Sequence, residues 1–170
     1  KVMIDTEKGL DVIAGESDIS VEKDMPGPVR PQRVSASEEK SRASVLFREA
    51  TSVIKNMMED ARLGKQVDVQ VLDPLAERMV QSTFRNPHAL SGITRIKTKD
   101  EYTFMHCVSV AGLMTTFAVE MGLDEETIHQ VAIGGMVHDI GKTLIPDEIL
   151  NKPDKLDDQE FTVMRRHVNF

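Results

Sequence analysis

Val131-Ala132-Ile133-Gly134-Gly135-Met136-Val137-His138-Asp139-Ile140-Gly141-Lys142 is the stretch on which the reading of this chain turns. An apolar run ends abruptly in an imidazole and a carboxylate. Side chains of neighbouring helical residues point about 100° apart, so they share a ligand only where it sits close to the backbone. A metal ion does so, particularly where a helix ends. An imidazole beside a carboxylate suits a hard or borderline ion such as iron, manganese or zinc. A His-Asp pair by itself is commonly a surface pair. Here it emerges from a core-like segment, where an ionisable group needs a partner because an unpaired buried charge is costly. Gly134 and Gly135, one turn earlier, leave room for another helix to approach. Gly141 permits a tight exit. Lys142 has two readings, a contact to a phosphate held by the metal or a solvated charge favoured by the helix dipole.

The segments on either side read as helices. Thr103 to Met121 is apolar almost all round, which predicts a helix buried in the middle of a bundle, with Gly122 as its end. Asp124 caps the next helix, expected to run to about Ile140 and stop at Gly141. Pro146 opens a short helical turn, Pro153 closes it, and Asp157 with Glu160 forms a capping box for a last helix. Two more histidines sit on these elements. His106 lies in the early turns of the apolar helix and His167 near Val163 and Met164. Taken singly, they read as a hydrogen-bonded core histidine and a surface histidine. His88 and His129 are assigned no role.

Toward the N-terminus, a helix is expected over 38–63, with Ser37 as N-cap, Glu38 and Glu39 in its first turn and Gly64 as its stop. Ala43, Leu46, Ala50, Val53 and Met57 form a stripe that Phe47, Ile54 and Met58 widen. It reads either as an ordinary core-facing helix or as a signalling helix that pairs with its copy in a homodimer. A second helix is expected from about Val69 to Phe84, with a break at Asn86-Pro87, and Pro74 is tolerable in it only near the first turn. Residues 25–37 hold Pro26, Gly27, Pro28 and Pro31 and read as a linker. Residues 1–24 carry three Lys against seven Asp or Glu and two short strand-like runs, Val2–Ile4 and Leu10–Ala14. The architecture expected is all-α apart from this short β-like remnant.

Composition bounds the function. With 28 acidic against 21 basic residues, the net charge is −7, and no Lys/Arg run is dense enough for a DNA footprint. A single tyrosine, Tyr102, and no tryptophan argue against a stacking platform for single strands. Cys107 is the only cysteine, so no intrachain disulfide forms and a reduced, cytoplasmic setting is the default. No segment of this chain was expected to approach a membrane span, and the first residues lack a signal-peptide pattern. Lys1 opens in a strand-like run and Phe170 stops in a helical one, so the sequence is expected to be a fragment.

Taken in order, Tyr102-Thr103-Phe104-Met105-His106-Cys107, His138-Asp139-Ile140-Gly141-Lys142, Ile145-Pro146 with Ile149-Leu150-Asn151-Lys152-Pro153, and Arg166-His167 resemble the HD-GYP family. These are bacterial cyclic di-GMP phosphodiesterases within the HD superfamily of metal-dependent phosphohydrolases. The resemblance covers about 97–170. Ile4-Asp5-Thr6-Glu7-Lys8-Gly9 is similar to the end of a small domain often joined to such modules. The implied organisation is the end of an accessory domain at 1–24, a linker at 25–37, connecting helices at 38–97, and the N-terminal part of the HD-GYP domain at 98–170.

The resemblance implies an HD-domain helical bundle holding divalent metal ions, commonly iron or manganese. His106, His138, Asp139 and His167 match metal ligands, and Lys142 matches the contact to substrate phosphate. Asp139 and Lys142 are thus the implied catalytic residues. The ions would activate a water for in-line attack on phosphorus, giving linear pGpG and, in some members, GMP. Tyr102 stands where three-metal members carry glutamate, which favours two ions. Cys107 replaces a usual serine and puts an oxidisable thiol beside a ligand. The paired histidines, a later aspartate and the Gly-Tyr-Pro loop of the family would lie past Phe170, so the chain as it stands is expected to be inactive. Two other readings compete: an HD hydrolase of another nucleotide, and a non-catalytic helical module that binds a cyclic dinucleotide.

Overall fold

The computed structural model describes residues 31–93 and 102–169, and the strand-like runs expected in 1–24 lie outside the described residues. The described part is all helical. Seven α-helices follow in order: α1 (Ala36–Arg62), α2 (Asp73–Arg85), α3 (Pro87–Ile93), α4 (Tyr102–Glu120), α5 (Glu125–Val137), α6 (Asp147–Leu150) and α7 (Asp158–Met164). Three 3-10 turns, Val69–Leu72, Ile140–Leu144 and Arg165–Asn169, join or extend them.

α1 starts earlier than expected. Ser35, not Ser37, is its N-cap, with the hydroxyl accepting from the Glu38 amide at 3.2 Å. Leu63 closes the helix and Gly64 follows at φ +72°, a left-handed conformation that glycine adopts without steric cost. Ala43, Leu46, Phe47, Ala50, Ile54, Met57 and Met58 are buried in one core with Leu72, Met79, Leu90, Cys107, Val108 and Met136. The apolar stripe of α1 is therefore used inside this chain.

Glu39, expected in the first turn as a partner of the helix dipole, is wholly buried. Arg85 donates to both of its oxygens, from Nε at 2.8 Å and from a terminal nitrogen at 2.7 Å, and Ser82 Oγ donates at 3.0 Å. This pair ties the start of α1 to the end of α2. No periodicity marks it, because a glutamate near a helix start is ordinarily a dipole partner.

The second helix is also divided differently. Val69–Leu72 is a 3-10 turn capped by Asp68, and α2 begins only at Asp73, with Pro74 in its first turn. Asn86 adopts an extended conformation and ends α2, as the Asn86-Pro87 break predicts. The chain then resumes at once as α3, which the sequence reading missed; proline opens a helix as readily as it ends one.

α4 was expected to be covered on all sides. One face packs against α1, α2, α3 and α5, but Leu113, Met114, Phe117 and Met121 are exposed, Phe117 at 66 %. α4 also corrects the expectation about membrane spans, since Thr103–Glu120 is long and apolar enough to cross a bilayer. A helix that packs on several neighbours and a span share that composition. The α4/α5 contact is very close: a Cβ added at Gly135 would lie 2.6 Å from the Ala111 Cα. Gly135 thus serves the close approach anticipated for the glycine pair, while Gly134 meets nothing within 4 Å.

Candidate metal centre

α5 ends at Val137, about three residues before the expected last residue, Ile140, and His138 is its C-cap. Asp139 begins the turn into Ile140–Leu144, so the His-Asp pair stands where the backbone changes direction. Departure from helical geometry removes the angular objection to two adjacent residues serving one ion. Gly141 does not stop a helix. It lies within the 3-10 turn, where an added Cβ would fall 2.0 Å from the His167 carbonyl oxygen. That glycine lets Arg165–Asn169 lie against Ile140–Leu144. Gly141→Ala is expected to displace His167, weaken manganese binding in a titration of the intact protein and cost about 1–3 kcal/mol of stability; unchanged binding would count against the role of this contact.

The sequence-predicted residues converge. Asp139 is only 3 % exposed. His138 Nε2 lies 3.3 Å and His106 Nε2 3.9 Å from its Oδ2, while His167 Nε2 lies 3.6 Å from its Oδ1. The His106 and His138 rings meet edge to face with centroids 5.4 Å apart. Ligand atoms of His106, His138 and Asp139 lie within 4.8 Å of one another, and His167 joins them from the other side of the carboxylate. Lys142 Nζ donates to Asp139 Oδ2 at 2.6 Å. Lys142 therefore faces the centre, and a carboxylate rather than open solvent is its partner.

Second contacts orient the imidazoles. His138 Nδ1 is 2.8 Å from the Gly135 carbonyl oxygen and His167 Nδ1 is 2.7 Å from that of Met164. A carbonyl only accepts, so each Nδ1 carries a proton and donates it. In the neutral rings this leaves the Nε2 lone pairs directed at the carboxylate. The Nε2 lone pairs and the carboxylate gathered at such distances favour a cation among them, a place partly taken here by the Lys142 ammonium against Oδ2. The donor set, nitrogen and oxygen on a nearly dry carboxylate, thus fits a hard or borderline divalent ion.

Residues outside the cluster behave differently. His88 is exposed at the start of α3 and His129 Nε2 lies 3.3 Å from the Asp73 carbonyl oxygen, linking α5 to α2. Neither lines the cleft over Asp139. Cys107 is fully buried, and burial first, then the Asp139 charge, pushes its thiol up to about 12. The thiol is thus held protonated and out of solvent, which lowers the reactivity of the oxidisable group noted in the sequence, because thiolate character and exposure govern it.

Asp139, His106, Lys142 and His167 line an open cleft of about 550 Å³. Its other contributors include Glu59 and Arg62 from the last turns of α1 and Asp147 from α6. Sequence reasoning missed these three, since nothing in a helix-end Arg or an exposed Asp announces that the fold brings them to one cleft. Arg62 and Asp147 form an ion pair at its edge.

Comparison with known proteins gives a consistent set of similarities. Residues 103–170 match the HD domain, and residues 1–72 match a domain of unknown function designated DUF3391. The chain is 39 % identical, over 98 % of its length and 41 % of the relative's, to a cyclic di-GMP phosphodiesterase of Pseudomonas aeruginosa. It is 32 % identical, over 82 % of its length and 34 % of the relative's, to a cyclic di-GMP phosphodiesterase response regulator of Xanthomonas campestris. Over 42 % of its length and 17 % of the relative's, it is 42 % identical to a 3′3′-cGAMP-specific phosphodiesterase of Vibrio cholerae. The chain thus spans less than half the length of these relatives. No solved structure matches it significantly.

Proposed function

The chain belongs to the HD-GYP type of HD-domain proteins, and from that premise we propose that the protein containing it is a metal-dependent phosphodiesterase of bacterial second-messenger signalling, opening cyclic di-GMP to pGpG and/or GMP. The observation that carries this is the buried Asp139 carboxylate with three imidazoles from separate elements directed at it, on the wall of a cleft. His106, His138, Asp139 and His167 would hold the ions, with iron or manganese preferred. Oδ2 of Asp139 faces His106 and His138 while Oδ1 faces His167, a division that suits two ions. Bound there, the ions supply a water of lowered pKa and Lewis-acid polarisation of the phosphoryl oxygens. Lys142, beside Oδ2, is positioned to turn toward a phosphate and offset charge that builds on it. In this reading residues 1–24 are the end of the accessory domain, 25–37 a linker, 38–97 connecting helices and 98–170 the N-terminal part of the catalytic domain, working in the cytoplasm.

Similarity to the 3′3′-cGAMP-specific enzyme favours a mixed cyclic dinucleotide as the second reading. Metal analysis and product chromatography on the intact protein test both. Iron or manganese should copurify, and cyclic di-GMP should give pGpG or GMP; preferential turnover of 3′3′-cGAMP selects the second reading. A metal-free protein that turns over neither, even with added manganese or iron, would be the non-catalytic module instead.

A further inference from the structure

A cyclic dinucleotide carries two phosphates, and the centre around Asp139 and Lys142 accounts for one. Arg62 and Lys142 are the only Lys or Arg among the described residues lining the cleft. They come from different elements, Arg62 from the last turn of α1 and Lys142 from the turn after α5. Arg62 stands beside two carboxylates on the same cleft, Glu59 and Asp147. Left alone, those carboxylates would repel a second phosphate.

Resting on the phosphodiesterase reading above, we propose that Arg62 is a specificity-determining residue that receives the substrate's second, uncleaved phosphate. Its present partner is Asp147, and both side chains are more than half exposed. Such an exposed pair contributes little, so it holds the guanidinium at the cleft edge without trapping it. A guanidinium fork matches two phosphate oxygens better than a point charge would. The pair with Asp147 therefore exchanges for a phosphate when substrate enters, and the fork selects ligands with two phosphates over those with one.

The test compares two substrates on the intact, manganese-loaded protein: cyclic di-GMP, with two phosphodiesters, and bis(p-nitrophenyl) phosphate, with one. Arg62→Ala should raise KM for cyclic di-GMP roughly tenfold, the size of one charged hydrogen-bonded contact, with kcat little changed. Its kcat/KM on bis(p-nitrophenyl) phosphate and its melting temperature should match wild type, and Arg62→Lys should fall between on cyclic di-GMP. An unchanged KM for cyclic di-GMP overturns the assignment. So does an equal loss on both substrates, which would make Arg62 a prop for α6. Wild-type protein inert toward both substrates would remove the phosphodiesterase reading; calorimetric binding of cyclic di-GMP then decides Arg62, with equal affinities, or no binding, overturning it.

Discussion

Asp139→Asn is expected to lower turnover of cyclic di-GMP by the intact protein at least about a thousandfold, or roughly 4 kcal/mol of transition-state stabilisation. The substitution keeps the shape of a side chain that is almost completely buried, so the fold should survive. What it removes is the negative charge toward which His106, His138, His167 and Lys142 converge. An amide offers one neutral oxygen in place of two charged ones, and a divalent ion loses its strongest ligand. Metal content should fall with activity, and circular dichroism should match wild type. Wild-type turnover in this variant would remove the centre from the mechanism.

Glu39→Ala should produce the largest stability loss, about 3 kcal/mol, because one partner of a buried ion pair is removed and the other is left behind. Arg85 is 23 % exposed and recovers some hydration, which puts the effect at the lower end of the usual range. Urea unfolding followed by circular dichroism measures it; a midpoint equal to wild type would contradict the burial. The pair also makes stability depend on pH. The Arg85 hydrogen bond holds the Glu39 carboxyl below its usual range, against the opposing effect of burial. A carboxyl depressed in the folded state stabilises fully above its unfolded pKa of about 4.3, and that contribution is lost as pH falls through the folded value. Wild type should therefore weaken on acidification below that point, and Glu39→Ala should show a shallower acid limb.

Local chemistry made much of the helical order legible. Asp124 caps α5 through the Thr127 amide, and Asp157 with Glu160 forms the capping box of α7, because both devices act within four residues. Two of the features that went astray, the chain after α5 and the place of Glu39, depended on more distant partners. The chain after α5 is drawn tight where Ile140–Leu144 packs against α1 and against Arg165–Asn169. Glu39 turned inward because Arg85, 46 residues later, was there to meet it.

From the sequence alone came the all-α character, the four candidate ligands and the lysine beside them. The helices and the His138-Asp139 pair follow from residue type and helical period, which are properties of neighbours along the chain, whereas His106 and His167 were named as ligands by the resemblance to the HD-GYP family. Only the tertiary structure brought His106 and His167, 61 positions apart, onto one carboxylate, uncovered one side of α4, and put Arg62 and Asp147 on the same cleft. Those outcomes depend on which helix faces pack together, and packing is decided by shape and burial over the whole core rather than by any local run of residues.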